Sequence, residues 1–218
     1  MLTFTEENYL KTIYHLSEHG TKEVSTNGIA ESINTKPASV SDMLKKLAQK
    51  DLIHYIKYQG VRLSEVGKKE ALLIIRKHRL WEVFLVEKLK FNWDEVHEIA
   101  EQLEHIHSKL LIKRLDEFLG FPQHDPHGDP IPNEEGVLSE KKQITASEMP
   151  VQSTGIVRGL KETSPLFLQY LDKIQIYIGA KIKVVDKIEF DSSLEILVDG
   201  KKPAIISNEV AKNILVTD

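Results

Sequence analysis

At 218 residues the chain is long enough for one large domain or two to three small ones, and 41% hydrophobic with 28% charged residues is ordinary for a soluble globular protein. No apolar run approaches the roughly 18 residues of a membrane helix, and the acidic residues early in MLTFTEENYLKTIY lack the order of a signal peptide, so a cytoplasmic protein without membrane contact is expected. Cysteine is absent, which excludes disulfides, thiolate metal sites and cysteine nucleophiles, and a net charge of -4 gives no global case for nucleic-acid binding.

The first predicted element is a helix over residues 5 to 18, with Tyr9, Leu10, Ile13, Tyr14 and Leu16 at helical spacing behind Thr5 as N-cap, ended by Gly20. Two short helices around a tight turn follow. Ile29, Ala30 and Ile33 point inward from one, and Val40, Met43, Leu44 and Leu47 from the other, which begins near Pro37. Leu52 to Tyr58 and Val61 to Ser64 then read as two strands joined through Gln59-Gly60. Three helices followed by such a hairpin make the winged helix-turn-helix plan.

From about Glu65 to Lys88 a long helix returns, and residues 94 to 119 give one or two more, with Ile99, Leu103, Ile106, Leu110, Leu111 and Leu115 as the packing stripe. A stripe this rich invites a helix-packed dimer, although a monomeric core leaves the same trace. Residues 120 to 136, GFPQHDPHGDPIPNEEG, read as loop. Residues 150 to 218 are β-rich, with SPLFLQYLDKI as one or two helical turns and Asp199-Gly200 as a hairpin turn, and they suggest a small barrel-like domain.

Two constellations carry chemistry. In VHEIAEQLEHIHSK, helical geometry puts His97, Glu101, Glu104 and His105 on one stripe, so that Glu101, Glu104 and His105 could meet one ion without bending the helix. His78 and Glu82 repeat the four-residue spacing on the long helix, and Asp125 and His127 in HDPHGD add ligands of the same type. Each group has a plainer reading: a solvated Glu/His face, a basic surface around Lys77, His78 and Arg79, and turn residues in the loop. Three such clusters in one region, without cysteine, favour a metal. The second constellation is a local excess of five positive charges between residues 36 and 69, from eight basic and three acidic side chains. Lys36, Ser39, Ser41, Asp42, Lys45 and Lys46 fall on the helix expected to enter a major groove, and Tyr58 and Arg62 flank the wing tip. A winged helix used for protein contacts is the alternative.

In this order, ENYLKTIY, IAESINTKPASVSDMLKKL, RKHRLWEVFLV, VHEIAEQLEH, RLDEFLGFP and PHGDPIP resemble the diphtheria-toxin-repressor family of metal-dependent transcriptional regulators, and more closely its manganese-responsive branch. The resemblance covers essentially the whole chain. It implies a mainly α protein with a small β domain: a winged helix-turn-helix (1–64), a helical dimerisation and metal-binding domain (65–140) and an SH3-like, FeoA-type β-barrel (150–218). Carried over residue by residue, the family's core metal site falls on Asn8, His78, Glu101, Glu104 and His105. Its second site falls on Glu82 and His97, in manganese-type relatives also on Asp125 and His127, with Glu162 as a candidate ligand from the C-terminal domain. Glu101 stands where iron-type members tend to have cysteine, which favours Mn²⁺. Asn8 replaces the usual Asp or Met, and Lys11 stands where one manganese-type subgroup has a bridging Glu.

The resemblance implies a homodimeric repressor, not an enzyme, that binds a palindromic double-stranded DNA operator when loaded with Mn²⁺ or Fe²⁺, for which Zn²⁺, Co²⁺ or Cd²⁺ can substitute. It takes no small-molecule substrate. Two rivals stay open: a di-metal carboxylate oxidase, although Glu104-x-x-His107 is the one clear Glu-x-x-His match, and a winged-helix regulator that senses a non-metal ligand.

Overall fold

The computed structural model describes residues 2–56, 60–138 and 143–217. They divide into two compact units. The first joins Met1–His78, Glu101–Lys113 and Ile131–Leu138, and the second joins Arg79–Ala100, Arg114–Pro130 and Ser139–Asp218. No helix among the described residues is long and apolar enough to cross a membrane.

In the first unit α1 spans Phe4–Leu16. It begins earlier than Thr5 because Thr3 and Glu6 form a capping box, in which Glu6 N–H donates to Thr3 Oγ1 at 3.3 Å and Thr3 N–H to Glu6 Oε2 at 3.0 Å. Helices α2 (Thr26–Ser32) and α3 (Pro37–Gln49) follow, the latter with Pro37 in its first turn, where the missing N–H costs no helical bond. Leu10, Ile13, Ile29, Val40, Leu44 and Leu47 are fully buried in one core, so α1 is packed into the helix-turn-helix. Strands β1 (Ile53–Ile56) and β2 (Gly60–Leu63) pair antiparallel from Ile53 with Leu63 to Ile56 with Gly60. The expected wing is therefore present, while Tyr58 at its tip lies outside the described residues.

Helix α4 (Glu65–Glu87) has its first turns in the first unit and its last in the second. The expected helical region from 94 to 119 breaks into α5 (His97–Leu103) and α6 (Lys109–Leu119). Ser108 starts the second of these, because its Oγ accepts from Leu111 N–H at 3.2 Å and its carbonyl from Ile112 N–H at 3.1 Å. The single continuous stripe carrying Glu101, Glu104 and His105 is thus corrected. Glu101 lies on α5, and Glu104 and His105 form the turn after it. The packing stripe is also less buried than its pattern suggests: Leu115 is enclosed, whereas Leu110 and Leu111 on α6 are exposed.

The second unit holds a six-stranded antiparallel sheet in the order β3-β8-β4-β5-β6-β7. Its strands are β3 (Ile144–Thr145), β4 (Thr154–Leu160), β5 (Lys181–Lys187), β6 (Leu194–Val198), β7 (Lys202–Ile206) and β8 (Ile214–Thr217). Asp199 and Gly200 both take positive φ between β6 and β7, the backbone a tight hairpin requires. Register shifts at Val157/Gly159 and Val184/Asp186 bend β4 and β5. Helix α7 (Pro165–Ile174) is longer than the one or two turns expected, and its Leu168 and Leu171 enter the sheet's core with Val157, Ile182, Val184 and Ile196. Helix α8 (Asn208–Asn213), the short edge strand β3 and strand β8, which pairs with both β3 and β4, are additions to the expected elements.

Candidate metal centre

Each unit holds a set of ligating side chains among the described residues. In the first unit α1 supplies Glu7, Asn8 and Lys11, α4 supplies His78, and α5 with its following turn supplies Glu101, Glu104 and His105. Glu104 is completely buried and is the hub. His78 Nδ1 lies 2.6 Å from Glu104 Oε2 and 4.0 Å from Glu101 Oε1. Lys11 Nζ donates to both Glu104 oxygens, at 2.7 and 2.9 Å, and also to Glu101. A full ion-pair partner is the usual condition for keeping a carboxylate at such depth.

His105 is held from behind. Its Nδ1–H donates to Glu7 Oε2 at 2.6 Å, and the Phe4 ring covers it at 3.9 Å between centroids. That bond turns Nε2 inward, to 3.6 Å from Glu104 Oε1. Three buried side-chain atoms among the described residues lack a hydrogen-bond partner, Trp81 Nε1 and two that belong to the expected core set: His105 Nε2 and Asn8 Oδ1. Buried polar atoms are nearly always satisfied, so an orphaned imidazole lone pair and an orphaned amide carbonyl in the same ligand set are a fit for a divalent cation. Glu7 is a site residue that sequence reasoning missed. No local pattern singles it out, because its partner His105 is 98 residues away in sequence. Taken alone, His78 suggested a basic surface; here it is buried.

In the second unit Glu82 (α4), Asp125 and His127 are all buried and offer ligand atoms within 4.8 Å of one another. His97, at the start of α5 and largely exposed, approaches with Nδ1 3.5 Å from Glu82 Oε1. The loop shapes its own donors. Asp125 Oδ1 accepts from the N–H groups of His127 at 2.8 Å and Asp129 at 3.0 Å, which leaves Oδ2 for other partners, Arg79 Nε among them at 3.5 Å. Burial, then the negative charges of Asp129 and Glu82, push the Asp125 carboxyl up to about 7 against the opposing Arg79 and His127. Burial works against the His127 imidazolium, but the bond and charge of Glu82, the charge of Asp125 and a bond to the Trp93 carbonyl outweigh it and raise His127 to about 9. These carboxylates, opposed by Arg79 and His127, could hold a divalent cation in place of the protons on Asp125 and His127. Glu162 is not brought to this set: it is exposed, and its Oε1 accepts from Ser164 N–H at 2.6 Å ahead of α7.

The basic face follows its sequence pattern with two refinements. Lys36, Ser39, Asp42, Lys45 and Lys46 are exposed along α3, and Arg62 is exposed on β2, 3.5 Å from Glu23. Ser41 is half-buried and donates to the Pro37 carbonyl at 3.0 Å, and Asp42 accepts from Lys45 at 2.9 Å. Lys36 and Lys46 are therefore the less encumbered cations of this helix.

Comparison with known proteins matches three successive segments of the chain. Residues 1–61 match the iron dependent repressor N-terminal DNA binding domain, residues 64–133 the iron dependent repressor metal binding and dimerisation domain, and residues 144–218 the FeoA domain. The iron-dependent repressor IdeR of Mycobacterium tuberculosis is 35% identical over 131 residues, which are 60% of this chain and 56% of that one, so the chain spans little more than half the length of this relative. Among solved structures, a manganese-dependent transcriptional repressor in complex with manganese aligns with a TM-score of 0.85 at 34% identity, over 98% of this chain and 99% of that one. ScaR with bound Cd²⁺ aligns with a TM-score of 0.78 at 32% identity, over 98% and 99%.

Proposed function

Because the chain belongs to the iron-dependent repressor family of metal-responsive DNA-binding regulators, we propose that it represses metal-uptake genes in the cytoplasm when Mn²⁺ or Fe²⁺ is sufficient. The family consists of regulators and not enzymes, which sets aside the di-metal oxidase. The observation that carries the reading is that Asn8 Oδ1 and His105 Nε2 are buried without a hydrogen-bond partner, the latter 3.6 Å from the buried carboxylate of Glu104. They make a core site of Asn8, His78, Glu101, Glu104 and His105, and Glu82, His97, Asp125 and His127 make a second. A ligand set of oxygen and imidazole nitrogen, with Glu101 as a hard carboxylate, suits Mn²⁺ and Fe²⁺ and tolerates Zn²⁺, Co²⁺ or Cd²⁺.

The bound ion supplies a double positive charge and directional bonds to these donors. The rest belongs to the chain. Asn8 sits on α1, and α1 shares its core with α2 and α3, so fixing Asn8 relative to Glu104 and His105 fixes the helix-turn-helix. Glu7 orients His105 from the same helix. Lys11 holds Glu101 and Glu104 to α1 already, which keeps the ligand set assembled. Residues 1–64, 65–140 and 150–218 serve as DNA-binding, dimerisation and FeoA-type parts, with Leu110 and Leu111 on α6 available to a second copy. As a homodimer the two winged helices address a palindrome through Lys36, Ser39, Lys45, Lys46 and Arg62.

Fluorescence anisotropy with a palindromic duplex selected from a random pool in Mn²⁺ tests this reading, titrated with Mn²⁺, Fe²⁺ and Zn²⁺ at fixed salt. Glu104→Gln removes the hub charge with little change of shape. It is expected to cost on the order of 100-fold in Mn²⁺ affinity at the core site and to abolish metal-dependent DNA binding with the fold intact. An unchanged metal response in this variant contradicts the core site.

A further inference from the structure

The second ligand set has a support outside its own donors. Trp93, in the segment between α4 and α5, touches His127 twice. Its carbonyl oxygen lies 2.9 Å from His127 Nε2, and since a carbonyl can only accept, Nε2 carries the hydrogen. His127 Nδ1 is thereby the atom that faces Glu82, 3.7 Å from Oε2. The Trp93 indole then lies nearly parallel to the imidazole, 17° between planes and 6.1 Å between centroids, an offset stack on that side of the ring.

The far edge of the same indole is tied to the FeoA-type domain. Trp93 Nε1–H donates to Asp172 Oδ2 on α7 at 3.1 Å, and its ring packs against the core built around Leu168 and Leu171. The adjacent Asp94 accepts from Gln169 on α7 at 2.8 Å. A second contact reaches the loop from the sheet. Gly128, next to His127, has φ +87°, and a Cβ there would stand 2.0 Å from the Arg158 carbonyl oxygen of β4. The backbone of the HDPHGD loop therefore lies directly on the β domain.

We propose that Trp93 is a positioning residue for the second metal set, through which α7 of the FeoA-type domain fixes the orientation of His127. The domain acts on the site through Asp172 and Trp93, while Glu162 serves its local turn. Partners one bond removed from a metal commonly change affinity by about 10- to 100-fold when lost, because they fix the tautomer and ring orientation of the ligating histidine. The inference rests on the metal-regulator reading above.

The test uses the full-length chain carrying Glu104→Gln, so that the second set is titrated apart from the core. Mn²⁺ binding is followed by calorimetry and by tryptophan emission. Mn²⁺ is expected to alter the emission of this parent, and Trp93→Phe, which leaves Trp81 in place, to remove that change. Asp172→Ala, an exposed position whose loss spares the fold, is expected to weaken Mn²⁺ about tenfold, and Asp172→Asn, which keeps an acceptor oxygen, to restore it. In the otherwise wild-type chain, Asp172→Ala leaves the core affinity unchanged. Affinity within twofold of the parent in both Asp172→Ala and Trp93→Ala, at unchanged melting temperature, overturns the proposal. So does a Mn²⁺-induced emission change that survives in Trp93→Phe. If the parent binds no Mn²⁺ the proposal also falls; one ion retained by the wild-type chain then leaves the regulator reading standing, and none removes both.

Discussion

Asn8 shows how a single atom separates metal-free from metal-loaded energetics. Its buried Oδ1 has no hydrogen-bond partner, and such a group typically costs about 1–3 kcal/mol. Asn8→Ala is therefore expected to leave the metal-free melting temperature unchanged or higher while lowering Mn²⁺ affinity about tenfold. Asn8→Asp should do the reverse, since a new buried carboxylate destabilises the metal-free chain and attracts the ion. Paired thermal melts with chelator and with Mn²⁺ check both signs, and a parallel shift of the two states in either variant would count against the ligand role. The second set titrates differently. Asp125 is raised from 3.8 to about 7 and His127 from 6.5 to about 9, so the folded metal-free chain holds protons that the unfolded chain releases. Their contribution to stability is present at low pH and is lost as pH rises, from about 4 to 7 for Asp125 and from about 6.5 to 9 for His127. A cation must displace those protons. Mn²⁺ binding to Glu104→Gln at pH 7 should release between one and two protons, roughly one from His127 and half from Asp125, and tighten toward pH 9. Calorimetry in two buffers of different ionisation heat measures the release, and a heat independent of buffer contradicts it.

The elements differ in how plainly the sequence declares them. Helices α1 to α4 and the wing were legible because their apolar residues keep a clean period and Pro37 or Gly60 marks a boundary. The Thr3–Glu6 capping box was equally visible in the letters and fixes the start that Thr5 suggested two residues later. Helix α5 was harder. Its apolar spacing runs on past Leu103, and the break is decided by Ser108 as a cap and by the pull of Lys11, His78 and Glu7 on Glu104 and His105, contacts that join residues far apart in sequence. The ligand types were legible as a set for the same reason that their partition was not: histidine and carboxylate spacing is local, whereas the roles of Glu7 and Trp93 exist only once the chain is folded. On α3 the exposed cations give a direct expectation. Lys46→Ala removes one phosphate contact and should reduce the salt dependence of DNA binding by about 1 in log–log slope, uniformly across sequences. Lys45→Ala should do less, because Lys45 is already paired with Asp42. Equal slopes for all three proteins would remove α3 from the phosphate contacts.

At the scale of the whole molecule, the proposed function is a pair of linked equilibria. Lys11 already ties α1 to Glu101 and Glu104, so the metal-free chain has a partly assembled core site, and what remains unsatisfied is the Asn8 and His105 pair. Ions bind most tightly where those two atoms are held at the right separation, and the winged helices of a dimer match an operator in the same arrangement. Linkage then requires that each partner raise the affinity of the other by one and the same factor. In the proposed reading the FeoA-type domain enters through the second set, and the core set acts through α1. The decisive measurement is the Mn²⁺ dissociation constant of the full-length dimer with and without saturating operator duplex, set against the duplex dissociation constant with chelator and with saturating Mn²⁺. The account predicts the same ratio from both pairs, between about 5- and 150-fold, and its loss in Glu104→Gln. Operator affinity that is identical with chelator and with Mn²⁺ would contradict it.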